Sequence, residues 1–300
     1  MPTSCIEKDT LQRLTPLSGS IESSLRSATL HALSTEGSLS RAKLASGVGY
    51  GLGLSRINAE KLGAGIELFH LASLMLDDLP CMDNADVRRS ATCTHRLFGE
   101  NTTILSSLGL INQAYFHLWQ LFAESGGAIQ EEAANLTREC LGFTGILDGQ
   151  SKDIHYYFTY NDGSLVTEIA EKKTGSLLRL CLMLPAILCE ASRYEKLQLF
   201  NLSNDWGLAY QVADDLKDIY YSEDASGKTP HQDAELGRPN MALAIGETAA
   251  VELLSELMYR SQQRIHALEK SHSPVYSTLA AFQVQLGEKV APLLKAFAAA

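Results

Sequence analysis

The sequence predicts an all-α protein, a single helical domain over residues 1–300. Apolar residues recur at three- and four-residue intervals over long windows, which places them on one face of a helix. Runs of strict alternation bounded by turn dipeptides, the mark of half-buried strands, are nearly absent, and the Asp-Gly pairs at 148–149 and 162–163 have no strand pattern beside them. The 300 residues are 45% hydrophobic and 20% charged with eight prolines, enough apolar material for a substantial core and too ordered a composition for a disulfide scaffold or a disordered chain.

Taken in order, the N-terminal stretch MPTSCIEKDTLQRLT carries charges where a leader needs an apolar run. No later window approaches the length of a membrane span. The expectation is a cytoplasmic protein with no integral membrane segment. A polar break falls near 34–38, followed by Gly47-Val-Gly-Tyr-Gly-Leu-Gly53. Its glycines match neither the dinucleotide nor the Walker pattern and read as close helix packing. A long apolar helix then runs into Asp77-Asp78 and is interrupted by Pro80. Leu105, Leu108, Ile111, Tyr115, Leu118 and Leu121 define the next long helix, and further breaks come near 125–128, 161–164 and 224–240. Pro185 interrupts another apolar stretch, and a helix ends in Asp214 and Asp218. Val251, Leu254, Leu257, Ile265 and Leu268 mark a late helix, and Val290, Leu293, Leu294 and Phe297 a last one that either caps the core or joins a partner. About ten helices are expected, with no break long enough to be an interdomain linker.

The formal net charge of −10 offers no basic field for a phosphate polymer, so no nucleic-acid partner is expected. Cys5, Cys81, Cys93, Cys140, Cys181 and Cys189 form no CxxC pair and are read as free thiols.

Chemistry concentrates in two acidic helix ends. The first is Asp77, Asp78 and Asp83 around Pro80; the second is Tyr210-Gln-Val-Ala-Asp-Asp-Leu-Lys-Asp218, where Asp214 and Asp218 share a face with Gln211 one turn earlier. Like charges at i,i+4 destabilise a helix, so something compensates them. Carboxylates without His or Cys ligands suit a hard cation, and Mg²⁺ binds one or two carboxylates while leaving positions for water and phosphate. Arg88 and Arg89 follow the first cluster, Lys228 and Arg238 the second, and Lys172-Lys173-Thr174 lies between. Acid beside base in this layout describes a diphosphate held by metal on one side and cations on the other. Lys172 reads as surface, and His95, His155 and His231 lack metal-ligand spacing. The aromatics at 156–158 and 220–221 could shield a cation or pack a core.

These residues resemble the trans-prenyl diphosphate synthase family, most nearly its bacterial geranylgeranyl diphosphate synthase branch. The likeness covers roughly 37–245, through the stretch from His70 to Arg89, Phe98-Gly-Glu100, Gly149-Gln-Ser-Lys-Asp153, Lys173-Thr-Gly175, Gly207 to Asp218 and Asp233 to Arg238. It implies an orthogonal helix bundle of the isoprenoid synthase type around a deep cavity, with the aspartate clusters facing each other at the mouth. Asp77, Asp78, Asp83, Asp214 and Asp218 would carry three Mg²⁺ ions on an allylic prenyl diphosphate. Arg88, Lys173, Lys228 and Arg238 would hold its oxygens, Arg238 standing where the family usually has lysine, and Thr174 and Gln211 would line the reacting carbons. Asp153 follows the family's Gly-Gln as a possible anchor between helices. Ala72 and Ser73 are small where shorter-product members carry aromatics, which leaves room for a C15 or C20 chain. A homodimer is the family's usual assembly.

The departures fall on the acceptor side. The family's isopentenyl diphosphate signature Gly-Lys-x-x-Arg-Pro reads Gly37-Ser-Leu-Ser-Arg-Ala42, so Arg41 remains with His70 and Arg89 while Ser38 replaces the lysine, and Ser90-Ala-Thr-Cys93 replaces a Gly-x-Pro-Thr turn. One lost charge-assisted hydrogen bond is worth about 1.5–3 kcal/mol, or roughly 10–150-fold in affinity. Chain elongation with a weakened acceptor site is therefore set first, because His70, Arg41 and Arg89 persist. A terpene synthase that ionises a C15 or C20 diphosphate without acceptor comes second, and a catalytically silent subunit third.

Overall fold

A computed structural model describes residues 6–7, 9–35, 37–156, 162–220 and 237–299. The chain is helical almost throughout. Its helices are α1 (Thr10–Arg13), α2 (Ser23–Ser34), α3 (Ser40–Leu52), α4 (Arg56–Asp77), α5 (Thr94–Phe98), α6 (Glu100–Ala123), α7 (Gly127–Leu141), α8 (Ile146–Ile154), α9 (Gly163–Ala170), α10 (Ser176–Leu188), α11 (Arg193–Tyr220), α12 (Met241–Ile245), α13 (Glu247–Lys270) and α14 (Tyr276–Ala299). A π-helical turn, Glu171–Gly175, joins α9 to α10 without a break.

The described residues hold more helices than the ten or so expected. The surplus is short: α1, α5 and α12 have four or five residues, too few to show a period in sequence. Pro185 is a second departure, because it lies inside α10 rather than ending it. The helix runs on only to Leu188, and the Pro185 ring packs in the core about 3.5 Å from where a Cβ on Gly49 would stand. Burial there outweighs the single backbone hydrogen bond that proline removes. The third is a two-residue hairpin, Val87–Arg88 against Ala91–Thr92, turned by Arg89 and Ser90 at φ 54° and 64°. Both residues sit in the left-handed region that such tight turns demand and that favours glycine.

Local chemistry sets the boundaries that matter for function. Ser55 caps α4 by accepting from the Asn58 N–H at 3.2 Å, and Leu79-Pro80 cannot continue the helix. Two of the 47–53 glycines serve packing, as read from sequence: a Cβ on Gly49 would meet Leu54 at 2.8 Å and Leu62 at 3.2 Å, and one on Gly51 would meet the Pro274 carbonyl at 3.2 Å. Gly53 ends α3 at φ 115°.

The apolar faces of α1 to α4 and α6 to α14 join in one continuous cluster that includes Trp206, Leu118, Leu180 and Leu293. Within it α4 packs along α3 and α6, α10 lies against α3, α7 and α11, and α11 pairs with α13. The last helix caps this core, with Val290 and Leu293 buried. Among the described residues no helix is long and apolar enough to cross a membrane.

Candidate active site

The first acidic end is folded back on its own helix. The Asp83 N–H donates to the Asp77 carbonyl at 2.9 Å and the Ala85 N–H to the Asp78 carbonyl at 3.2 Å, so the loop after Pro80 brings Asp83 beside Asp77. The two adjacent aspartates then diverge. Asp78 is buried and accepts from Arg88 Nε at 2.6 Å. Asp77 is half-buried, and burial first, and Asp83 and Asp153 in addition, push its carboxyl up to about 6 against the pull of Lys173 and Arg88.

Opposite Asp77 stands a cluster of acid and base drawn from three other segments. Asp153 on α8, 7% exposed, accepts from Lys173 Nζ at 2.7 Å and lies 3.5 Å from Arg238 Nη1. Arg238 also reaches Asp83 Oδ1 and the Met82 carbonyl, each at 3.2 Å. The π turn makes this possible: its extra residue aims Lys173 at the acids while the next side chain, Thr174, donates to Gln211 Oε1 at 2.9 Å. Helix α8 approaches that turn so closely that a Cβ on Gly149 would lie 2.4 Å from the Lys173 nitrogen.

Gln211 in turn donates from Nε2 to Asp215 at 2.9 Å, and buried Asp215 accepts the Met241 N–H at 2.7 Å. This chain fixes the Gln211 amide and anchors the segment that carries Arg238. Asp214 is exposed and paired with Lys217 at 2.7 Å, and Asp218 lies one turn further along α11. Lys228 lies outside the described residues, as do His231 and the aromatics at 157, 158 and 221.

A second cluster lies about two turns earlier along the same face of α4, around His70. Arg41 donates from Nη1 to His70 Nε2 at 3.1 Å and stands over the Tyr210 ring, 5.7 Å from its centre. Burial, reinforced by Arg41, Arg89 and Arg88, holds the His70 imidazole well below its usual pKa, so it is neutral and accepts. Beneath it Glu67 takes the Ala42 N–H at 2.9 Å; burial pushes its carboxyl up although Arg41, Arg89 and Lys43 pull it down. The Arg89 guanidinium occupies the space a Cβ on Gly37 would need.

Consecutive arginines thus serve opposite sides, Arg88 on Asp78 and Arg89 on Gly37. Glu67 and Tyr210 join the site although the sequence reading assigned them no role there, and Asp153, read only as an anchor between helices, pairs with Lys173 and Arg238. Glu67 shares a face with His70 at i,i+3, which was a usable signal. Lys172 is a surface residue, paired with Asp148 and Glu168, and the Tyr220 hydroxyl donates to Glu247 rather than facing the site.

The donor set fits a hard divalent ion. The acids near Asp77 are the carboxylates Asp83 and Asp153, with Lys173 and Arg88 as cations beside them, and burial is the first cause of its raised pKa. Among the described residues no three ligating side chains meet tightly enough to hold a metal alone. Lys173 and Arg238 add fixed positive charge for oxyanions in the same place.

Comparison with known proteins follows this geometry. The profile of the polyprenyl synthetase family matches residues 22–272. A geranylgeranyl diphosphate synthase of Pseudescherichia vulneris is 34% identical over 65% of this chain and 62% of its own length. Geranylgeranyl pyrophosphate synthase 4 of Arabidopsis thaliana is 31% identical over 70% of this chain and 57% of its own. The chain therefore spans about three fifths of the length of these relatives. A Helicobacter pylori geranyltransferase, crystallised with magnesium and isoprenyl diphosphate, superposes with a TM-score of 0.81 at 23% identity, covering 96% of this chain and 98% of that one. The likeness extends to an FPP/GFPP synthase of Zymomonas mobilis at 0.77, with 92% and 94% covered at 23% identity. The fold is the all-α isoprenoid synthase bundle expected from the sequence, and the chain belongs to the polyprenyl synthetase family.

Proposed function

We propose that this protein is a Mg²⁺-dependent trans-prenyltransferase that ionises an allylic prenyl diphosphate and joins it to isopentenyl diphosphate, giving a C15 or C20 diphosphate. The observation that carries this reading is the pair of anion sites on one helix. Asp77 and His70 lie seven residues apart on α4, about 10 Å at 1.5 Å per residue. The mixed acid–base cluster is at the first and the cationic cluster at the second, with Arg88 and Arg89 divided between them. One diphosphate per cluster sets donor and acceptor carbons side by side.

In this reading Asp77, Asp83, Asp214 and Asp218 hold three Mg²⁺ ions, which when bound neutralise charge on the departing diphosphate. Lys173, Arg88 and Arg238 bind its remaining oxygens, with Lys228 as a further cation. The allylic C–O bond breaks, and the acceptor alkene forms the new C–C bond and loses a proton. Thr174 and Gln211 present oxygen lone pairs where positive charge develops, their orientation fixed by Asp215. Arg41, His70 and Arg89 seat the acceptor diphosphate.

On α4 Ala72 and Ser73 are small residues, and the bulky Phe69 earlier on the helix meets Tyr115 edge-on at 6.4 Å; the small pair supports a C15 or C20 product. Helix α6 exposes Leu105, Leu108, Phe116 and Trp119, each more than half exposed. A stripe of this size supports a homodimer. A single domain and a cytoplasmic setting complete the reading, the latter supported by five described cysteines that are all free thiols.

Incubating the purified protein and Mg²⁺ with farnesyl diphosphate, with and without isopentenyl diphosphate, tests the proposal. An isopentenyl-dependent C20 diphosphate is expected. A hydrocarbon or alcohol formed without the acceptor, or no turnover, would refute it.

A further inference from the structure

Tyr210 on α11 is flanked by two cations from distant parts of the chain. Besides Arg41 on α3, Lys289 on α14 places Nζ 4.5 Å from the ring centre and donates to the Tyr210 hydroxyl at 2.7 Å. Arg89 is close enough that its charge feels the same hydroxyl. Among the described residues, the ion pairs of the protein include none of these three. The acid facing Arg41 and Arg89 is the single buried Glu67. In a chain of net charge −10, three positive groups converging on one tyrosine repel each other and leave a surplus that an anion relieves. At the start of α3 Ser38 supplies no charge, its hydroxyl bonding Ser40 at 3.2 Å.

We propose that Lys289, delivered by the C-terminal helix, is the third cation of the acceptor diphosphate site. Helix α14 packs on both α3 and α11, so the fold fixes where this lysine emerges. Its flexible stem lets the exposed ammonium move from the tyrosine oxygen to a phosphate oxygen. The last helix thereby has a binding role in addition to capping the core. This inference rests on the acceptor-side reading given above.

The test is titration calorimetry of the full chain with inorganic pyrophosphate in EDTA, followed by steady-state kinetics. Lys289→Gln is expected to weaken pyrophosphate about tenfold, the loss of one charge-assisted hydrogen bond at an exposed group. It should also raise KM for isopentenyl diphosphate and not for farnesyl diphosphate. Lys289→Arg restores binding, and Lys295→Gln, which removes the same charge elsewhere on α14, leaves it at the wild-type value. Equal pyrophosphate affinity and equal KM in Lys289→Gln and wild type would overturn this inference and leave the acceptor site standing. A wild-type protein that binds no pyrophosphate would overturn both.

Discussion

Asp153 is the residue on which the acidic cluster depends most directly, and Asp153→Asn is the perturbation that tests it. The substitution keeps shape and one acceptor oxygen but removes the charge that meets Lys173 at 2.7 Å and Arg238 at 3.5 Å. Stripping one partner from a buried ion pair costs about 3–5 kcal/mol. Asp77 remains beside Lys173 and Asp83 beside Arg238, so the loss should fall near the lower end, about 3 kcal/mol. Urea unfolding measures it. The same change acts on Asp77, whose carboxyl stands at about 6 partly because Asp153 repels it. With Asp153 neutral and Lys173 released toward it, Asp77 should titrate lower, which carboxyl-labelled aspartate NMR reads directly. The linkage has a definite sign. A carboxyl raised in the folded state stabilises below its unfolded pKa and loses that contribution as pH rises to about 6. The variant should therefore lose less stability than the wild type across that window. A destabilisation below about 1 kcal/mol with an unmoved Asp77 titration would refute the picture of a buried charge cluster.

Neutral, buried His70 predicts the opposite slope: its folded pKa lies well below the ordinary 6.5, so the unfolded chain binds the extra proton and stability falls as pH drops below 6.5. His70→Gln, which keeps an acceptor for Arg41, should flatten that limb in pH-dependent unfolding. Ser90→Gly relieves a left-handed backbone at φ 64° and should stabilise by about 1 kcal/mol, read as a raised urea midpoint. Gly149→Ala drives a methyl to 2.4 Å from the Lys173 nitrogen, and kcat should fall at least tenfold as the π turn shifts. Trp119→Asp places a charge on the apolar stripe of α6; under the proposed homodimer, light scattering should show a dimeric wild type and a monomeric variant.

Much of the site was legible because its parts are local. Asp77 before Pro80 and Lys173-Thr174 announce themselves within a few residues, whereas Asp214, just as legible at one turn from Asp218, stands exposed beside Lys217. The all-α class followed from helical periodicity alone, since long helices repeat their apolar face many times. The pairings did not follow. Nothing in the string separates buried Asp78, which pairs with Arg88, from half-buried Asp77, which stands near Lys173 and Asp153. Pro185 looks like a helix end until the core is seen to hold it.

The sequence by itself determined the helical class, the two acidic ends, the small residues before the first of them and the altered acceptor signature, because each is written in residue type and near spacing. Only the tertiary structure decided that Asp153 joins Lys173 to Arg238, that Glu67 lies beneath Arg41, and that Arg41 and Lys289 meet at Tyr210. Such contacts join segments up to hundreds of residues apart in sequence. They depend on how helices cross and which rotamers the packed core permits, and neither is encoded in any short stretch of chain.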